Sequence, residues 1–392
     1  NGIEKVLSID FPNSLGMLYS TVTSYLGFKP NEGEYKVMGL APYGNASKYF
    51  DKLDKIFCHS DNKFWIDQKY FTWEYSERIM FNKKFCRLLG LPPRLPEDEL
   101  TQDHKDLAAA LQKIYEREFY RLVERAKLMT REVNLCLGGG CAYNGVANSL
   151  AYDHFDSIHI PFAPSDAGSA IGACLYQYRG ERQDNSSPYL GPEYTNLIIQ
   201  STLHGYEDKV QWFKLTEEKL IKKTAELLRG QNIIAWFQGR MEFGARALGN
   251  RSILASPKDP KMRERLNFVI KKREGFRPFA PSVTEEQADR WFYVQENIPY
   301  MNQVVNAKVR DLEAATHVDG SCRVHTVTKK QNPRYHALIT ELGRIDEKAV
   351  VLNTSFNLKD QTITMTPEQA IERFINSEIN YLVLNNFLIR KI

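Results

Sequence analysis

No run of apolar residues in this 392-residue chain approaches the ~20 that cross a bilayer as a helix, so nothing in it reads as a membrane span. Cysteine is sparse. Cys58, Cys86, Cys136, Cys141, Cys174 and Cys322 form no CxxC pair and no zinc-finger spacing, which argues against a disulfide scaffold and predicts reduced thiols in a cytoplasmic protein. The eight histidines include no HxxxH or HExxH pair, and the five-residue spacing of His154 and His159 suits one helical face poorly. There is no Walker A loop, no GxGxxG fingerprint, no arguable Ser/His/Asp arrangement and no repeat of solenoid period. The chain starts at Asn1 without an initiator Met or a signal peptide, which predicts a fragment whose true beginning is absent.

Net charge is also small: 52 basic and 48 acidic side chains leave +4. Hydrophobic residues at 43% and charged residues at 26% exclude a disordered chain, a collagen-like chain and a coiled-coil rod. At roughly 150 residues per domain, the length predicts two or three domains. What one-sided charge exists is local. Between Lys258 and Arg277 stand Lys258, Lys261, Arg263, Arg265, Lys271, Lys272, Arg273 and Arg277 against Asp259, Glu264 and Glu274, an excess above that of the whole chain. A basic cluster on a near-neutral body predicts a local anionic ligand, with Lys258–Arg265 as a solvated face.

Apolar spacing predicts a long helix over His104 to Leu128 and a short strand over Val133–Leu137 that ends in Gly138-Gly139-Gly140, with a second helix from about Tyr143. A strand at His159-Ile160 leads to Asp166 and a helix of small residues. The stretch Asp184–Asn196, rich in Ser, Pro, Gly and Asn, predicts a boundary between two α/β halves. Beyond it, Thr216–Arg229 reads as a helix, and Asn232–Phe237, Ala349–Asn353 and Tyr381–Leu384 read as buried strands. Thr366-Pro367-Glu368-Gln369 has the signature of an N-cap, a proline at the first helical position and a capping box. Strands alternating with helices predict mixed or parallel sheets.

Several segments could carry chemistry. The triple glycine opens a place where backbone N–H groups meet an anion, or else a tight turn that lets strand and helix pack closely. Asp166 reads as a helix N-cap or as a carboxylate aimed at a metal. Gly239–Ser252 packs Arg240, Arg246 and Arg251 among glycines after a buried strand, and the arginine fork suits phosphate and carboxylate. Arg277 in RPFAPS, Arg323 in HVDGSCRV, and the hydroxyls and amides of LNTSFN from Leu352 complete the set, the last at a strand end where α/β folds bind ligands.

Taken in order, these segments resemble the NodU/CmcH family of O-carbamoyltransferases over nearly the whole chain. The likeness rests on SLGMLY from Ser14, KVMGLAPYG from Lys36, the triple glycine, the Asp166 loop, FGARALGNRSIL from Phe243, RPFAPS, HVDGSCRV and LNTSFN. It implies an α/β protein with a partial actin/hexokinase-like domain over 1–190, followed by a YrdC-like domain over 197–392. It also implies a two-step reaction. The YrdC-like part makes carbamoyl-adenylate from carbamoyl phosphate and ATP, and the first part transfers the carbamoyl group to a small-molecule hydroxyl beside a divalent metal, iron or magnesium.

By this resemblance Arg246, Lys271, Arg277, Arg323, Ser355 and Asn357 match the carbamoyl phosphate and nucleotide site. Asp166 matches a metal ligand, and Gly138, Gly139, Gly140 and Asn144 match the nucleotide-facing loop. The family's HxxxH belongs to a segment expected before Asn1. Ala245 stands where the family has Pro, Ser165 where it commonly has Gly, and Lys359-Asp360-Gln361 where it has a Gly-Glu-Pro-like turn. A homodimer is compatible with the family, and neither membrane nor nucleic acid is an expected partner. Two rival readings remain: a tRNA-modification or RNA-binding protein, suggested by the YrdC-like half and by Lys258–Arg277, and a nucleotide-binding scaffold without catalysis.

Overall fold

The computed structural model describes residues 3–60, 63–76, 79–178, 187–359 and 361–392. They group into two compact units, divided between His159 and Ile160.

The first unit is mainly helical: α1 (Leu15–Tyr25), α2 (Glu34–Leu40), α3 (Ser47–Asp54), α4 (Lys83–Leu89), α5 (Gln102–Thr130) and α6 (Gly145–Ser149). A hairpin, β1 (Phe57–His59) with β2 (Phe64–Ile66), and a parallel pair, β3 (Asn134–Cys136) with β4 (Ser157–His159), complete it. The predicted long helix is α5, whose buried Leu107, Leu111, Ile114, Tyr115 and Val123 recur at helical spacing. The helix expected from Tyr143 is smaller than predicted. Gly140–Tyr143 forms a 3-10 turn and α6 has five residues, because the glycines and Asn144 break the helical run.

The second unit is built on one eight-stranded sheet. Its elements are α7 (Asp166–Gln177), α8 (Asn196–His204), β5 (Val210–Lys214), α9 (Glu217–Arg229), β6 (Ile234–Phe237), β7 (Arg251–Ala255), α10 (Met262–Glu264), β8 (Ala280–Thr284), α11 (Ala288–Trp291), β9 (Val305–Asn306), β10 (Ser321–Cys322), β11 (His325–Val327), α12 (Pro333–Ile345), β12 (Val351–Ser355), α13 (Pro367–Ile375), β13 (Tyr381–Leu384) and β14 (Phe387–Lys391). The order β11-β8-β12-β7-β6-β13-β14-β5 is mixed, as the alternation of elements predicts: β11–β8 and β6–β13 are parallel and the other pairs antiparallel.

Successive residues of β6 show why this sheet has a layer on each face. Ile234 and Trp236 pack with Leu220 and Leu228 of α9 and Leu338 and Leu342 of α12, while Ala235 and Phe237 join Ile199 of α8 and Phe374 of α13. The caps follow the sequence. Thr216 accepts from the N–H of Lys219, and Thr366 from that of Gln369 at 3.3 Å. Gln369 Oε1 accepts from the Met365 N–H at 2.9 Å, one residue beyond the reach of a standard capping box.

Of the boundary stretch, Asp184, Asn185 and Ser186 lie outside the described residues. The rest is held as an extended neighbour of the arginine loop: the N–H groups of Gly191, Met241 and Phe243 donate to the Met241, Pro192 and Pro188 carbonyls. Lys258–Arg265 is not uniformly a solvated face. Arg263 donates to the Thr316 carbonyl and Arg265 to the Gln231 carbonyl and Asn380 Oδ1, because the α10 turn runs close over those carbonyls; Lys258 and Lys261 remain exposed. Among the described residues, no helix is long and apolar enough to cross a membrane.

Candidate functional site

Strand ends and turns around β7, β8, β11 and β12 bring six cations into one region of the second unit. Arg246 comes from the loop between β6 and β7. Lys271 closes the π-helical turn Arg265–Ile270, whose inward Leu266 and Ile270 anchor it in the core. Fully buried Asn267 in that turn donates to the carbonyls of Gly275 (3.3 Å) and Arg277 (3.0 Å), and accepts from Arg273 Nε at 2.8 Å. One amide thus shapes the loop that carries Arg273 and Arg277.

Lys271 is buried and bonded at the end of β12. Its Nζ donates to the Ser355 carbonyl at 2.6 Å, Asn357 Oδ1 at 2.8 Å, the Asn357 carbonyl at 2.9 Å and, more weakly, Ser355 Oγ at 3.4 Å. Ser355 Oγ donates in turn to Asn357 Oδ1. Burial, reinforced by Arg273, Arg277 and Arg373, pushes the Lys271 amine well below the ordinary lysine value. Arg373 reaches in from α13, where its Nη1 donates to Thr364 Oγ1 at 2.7 Å and the Thr362 carbonyl at 3.0 Å.

Arg323, between β10 and β11, feels Arg246 and Arg277. Burial first, then those two guanidiniums, push its pKa well below the usual arginine value. Its Nε is shielded from water and has no hydrogen-bond partner among the described residues. A buried donor left unmet amid like charges marks a place for an anion, since an unpaired buried polar group is costly. Among the described residues the Glu274 carboxylate ion-pairs with the group: its Oε2 lies 3.4 Å from Arg277 Nη1. In the first unit two arginines of α5 behave differently: Arg117 meets Asp54 and Glu118 (both 2.6 Å), and Arg121 meets Glu118 at 3.1 Å, so each already has a carboxylate partner.

The sequence-predicted residues therefore divide. Lys271, Ser355 and Asn357 are in direct contact, and Arg246, Arg277 and Arg323 are within electrostatic reach of one another. Arg273 and Arg373 join them unforeseen. Arg273 stands inside the basic run Lys258–Arg277, and Arg373 carries no signal beyond its place in an amphipathic helix.

Gly138, Gly139, Gly140 and Asn144 lie in the other unit. The three glycines are exposed, and a Cβ at Gly139 or Gly140 would meet nothing within 4 Å, so close packing does not explain those two. Gly139 has φ +84°, which does call for glycine. Asn144 caps α6 by accepting from the Ala147 N–H, and its amide exchanges bonds with Gln112 at 3.1 and 3.2 Å.

Asp166 is not the helix cap that its local pattern suggests. Ser165 holds that position, and Asp166 is the first residue of α7, exposed. Among the described residues no group of three or more His, Cys, Asp or Glu is placed to hold a metal. One exposed carboxylate does not by itself make a metal centre.

A site that gathers phosphate-type donors beside a serine and an amide is the kind that enzymes moving small charged groups use. Comparison with known proteins agrees. The carbamoyltransferase N-terminus family model matches residues 2–175, and the carbamoyltransferase C-terminus model matches residues 225–391. An uncharacterized protein of Synechocystis sp. is 41% identical over 98% of this chain and 68% of its own length. Nodulation protein NolO of Bradyrhizobium diazoefficiens is 34% identical over 99% of this chain and 71% of its own. The 3'-hydroxymethylcephem-O-carbamoyltransferase of Amycolatopsis lactamdurans is 36% identical over 65% of this chain and 48% of its own. This chain belongs to the carbamoyltransferase family, in its NodU/CmcH group, and is a transferase.

Proposed function

We propose that the second unit forms carbamoyl-adenylate from ATP and carbamoyl phosphate, and that the full reaction passes the carbamoyl group to a hydroxyl of a small-molecule acceptor. Forming the adenylate consumes one water, and releases pyrophosphate from ATP and phosphate from carbamoyl phosphate. The observation that carries this reading is the unmet Arg323 Nε in the field of Arg246 and Arg277, beside a serine and an asparagine at the end of β12.

In this reading the guanidiniums of Arg246, Arg277 and Arg323 take up the charge of the phosphoryl groups and of the departing pyrophosphate. Ser355 and Asn357 face the small carbamoyl group, and Lys271 holds their turn. A YrdC-like fold for this unit, an actin/hexokinase-like fold for the first, and a nucleotide-facing role for Gly138–Gly140 belong to the same reading. So does a divalent metal beside Asp166, which needs ligands from residues other than those described.

The test is pyrophosphate release from ATP by the purified chain, with and without carbamoyl phosphate, and again with the additional length that its relatives carry supplied. Release that needs carbamoyl phosphate and is lost in Arg246→Ala and Lys271→Ala is expected. No release in either form sinks the reading. The RNA-binding alternative retains little support, because within Lys258–Arg277 only Lys258, Lys261 and Lys272 are exposed cations.

A further inference from the structure

We infer that Glu242 is a positioning residue that fixes the loop carrying Arg246, an inference resting on the adenylate-forming reading above. Glu242 is 5% exposed, and its Oε1 accepts three backbone N–H groups: Leu248 at 2.7 Å, Asn250 at 2.7 Å and Arg251 at 3.2 Å. Three donors on one oxygen bend residues 248–251 around a single point. Such charge-assisted bonds in a dry site are among the stronger ones a loop can have.

Two further holds act on the same loop. Asn353 of β12 donates to the Ala247 carbonyl at 3.2 Å, next to Arg246 itself. Arg251, 0% exposed, donates to the carbonyls of Gln238 (2.7 Å), Asn250 (2.9 Å), Pro192 (3.1 Å) and Gly239 (3.1 Å), and its guanidinium lies 3.6 Å from the Phe237 ring centre. Burial pushes Arg251 down to about 10, and Glu242 opposes that push more than any other group. The pair therefore binds opposite kinds of backbone group: Glu242 gathers N–H groups beyond Arg246, and Arg251 gathers carbonyls before it (Gln238 and Gly239), after it (Asn250) and from the neighbouring segment (Pro192). Glu242 needs no contact with substrate to matter. Remove it and three buried N–H groups lose their acceptor, so the segment has reason to rearrange and carry Arg246 out of register with Arg277 and Arg323.

Two measurements on Glu242→Ala, Glu242→Gln, Arg246→Ala and the Glu242→Ala/Arg246→Ala double variant test this. Limited trypsin digestion of the native protein, read by mass spectrometry, reports scission of the Arg246–Ala247 bond. It is expected at least about tenfold faster in Glu242→Ala. Glu242→Gln, which keeps an acceptor and drops its charge, falls between that variant and the parent, and serves alone if Glu242→Ala does not fold. Carbamoyl phosphate binding by calorimetry weakens about tenfold in Glu242→Ala. In the double variant it is no weaker than in Arg246→Ala alone, because the two act through one group. Wild-type scission rates in both Glu242 variants, or binding losses that add in the double variant, overturn the inference. If the parent protein binds no carbamoyl phosphate, the adenylate reading fails, and the digestion still decides whether Glu242 holds the loop.

Discussion

Gly249→Ala tests the packing of the Arg246 loop by its backbone alone. Gly249 has φ +95°, and a Cβ there would lie 2.3 Å from Cδ1 of Tyr335 and 2.8 Å from two other ring atoms. Tyr335 has no room to retreat: it is fully buried in the α9/α12 layer and stacks on His325 with ring centres 6.1 Å apart. Two costs combine, about 1–2 kcal/mol for placing a side chain in left-handed backbone and about 1–3 kcal/mol for overpacking a filled core. Gly320 supplies the control in the same unit, with φ +81° and nothing within 4 Å of its Cβ position. Gly320→Ala should bear the first cost alone. Thermal melting by near-ultraviolet circular dichroism, with both variants beside the parent protein, should show Gly249→Ala destabilised by about 2–5 kcal/mol and Gly320→Ala by about 1–2 kcal/mol. Indistinguishable melts would refute the claim that the loop is packed on Tyr335, and with it the fixed placement of Arg246.

Another expectation concerns protons. Burial pushes His325 down to about 3, so the folded protein keeps it neutral while the unfolded chain protonates near the ordinary histidine value. Its folded pKa being depressed, stability is present above pH ~6.5 and falls from there toward pH 3, by up to about 1.4 kcal/mol per pH unit; His325→Asn should flatten that part of a melting-versus-pH curve. The Lys271 amine donates to the Ser355 and Asn357 carbonyls and so holds the turn at the end of β12. Titrating inorganic pyrophosphate by calorimetry should therefore show weaker binding in Lys271→Met than in the parent protein; equal affinity would contradict this.

The sequence announces what local rules decide. Tyr381–Leu384 is observed residue for residue as β13, Thr366 caps the helix it is expected to cap, and the helix read from Thr216 begins one residue later with Thr216 as its cap, because apolar runs and capping residues act within a few positions. The cations of the site are legible as arginines among glycines and prolines. Their division of labour is not. Whether Arg263 and Arg265 meet water or carbonyls depends on residues 34 to 115 positions away. Asn267 reaches only 10 positions along the chain, but across a loop that no periodicity marks. Glu242 is a single acid among arginines, which is the one hint it offers. Asp166 shows the opposite failure: a local pattern suits a cap, and the cap falls one residue earlier, on Ser165.

FGARALGNR spells arginine twice, and the two letters answer to different pressures. Arg251 is wrapped by four carbonyls in a fork geometry that the compact ammonium of lysine does not reproduce. A library of all substitutions scored by how much protein accumulates should single out position 251 and pass over 246. The same library scored by turnover should reject both. Reading the two maps against each other would sort the residues that build this loop from those that use it, without a ligand ever being soaked in.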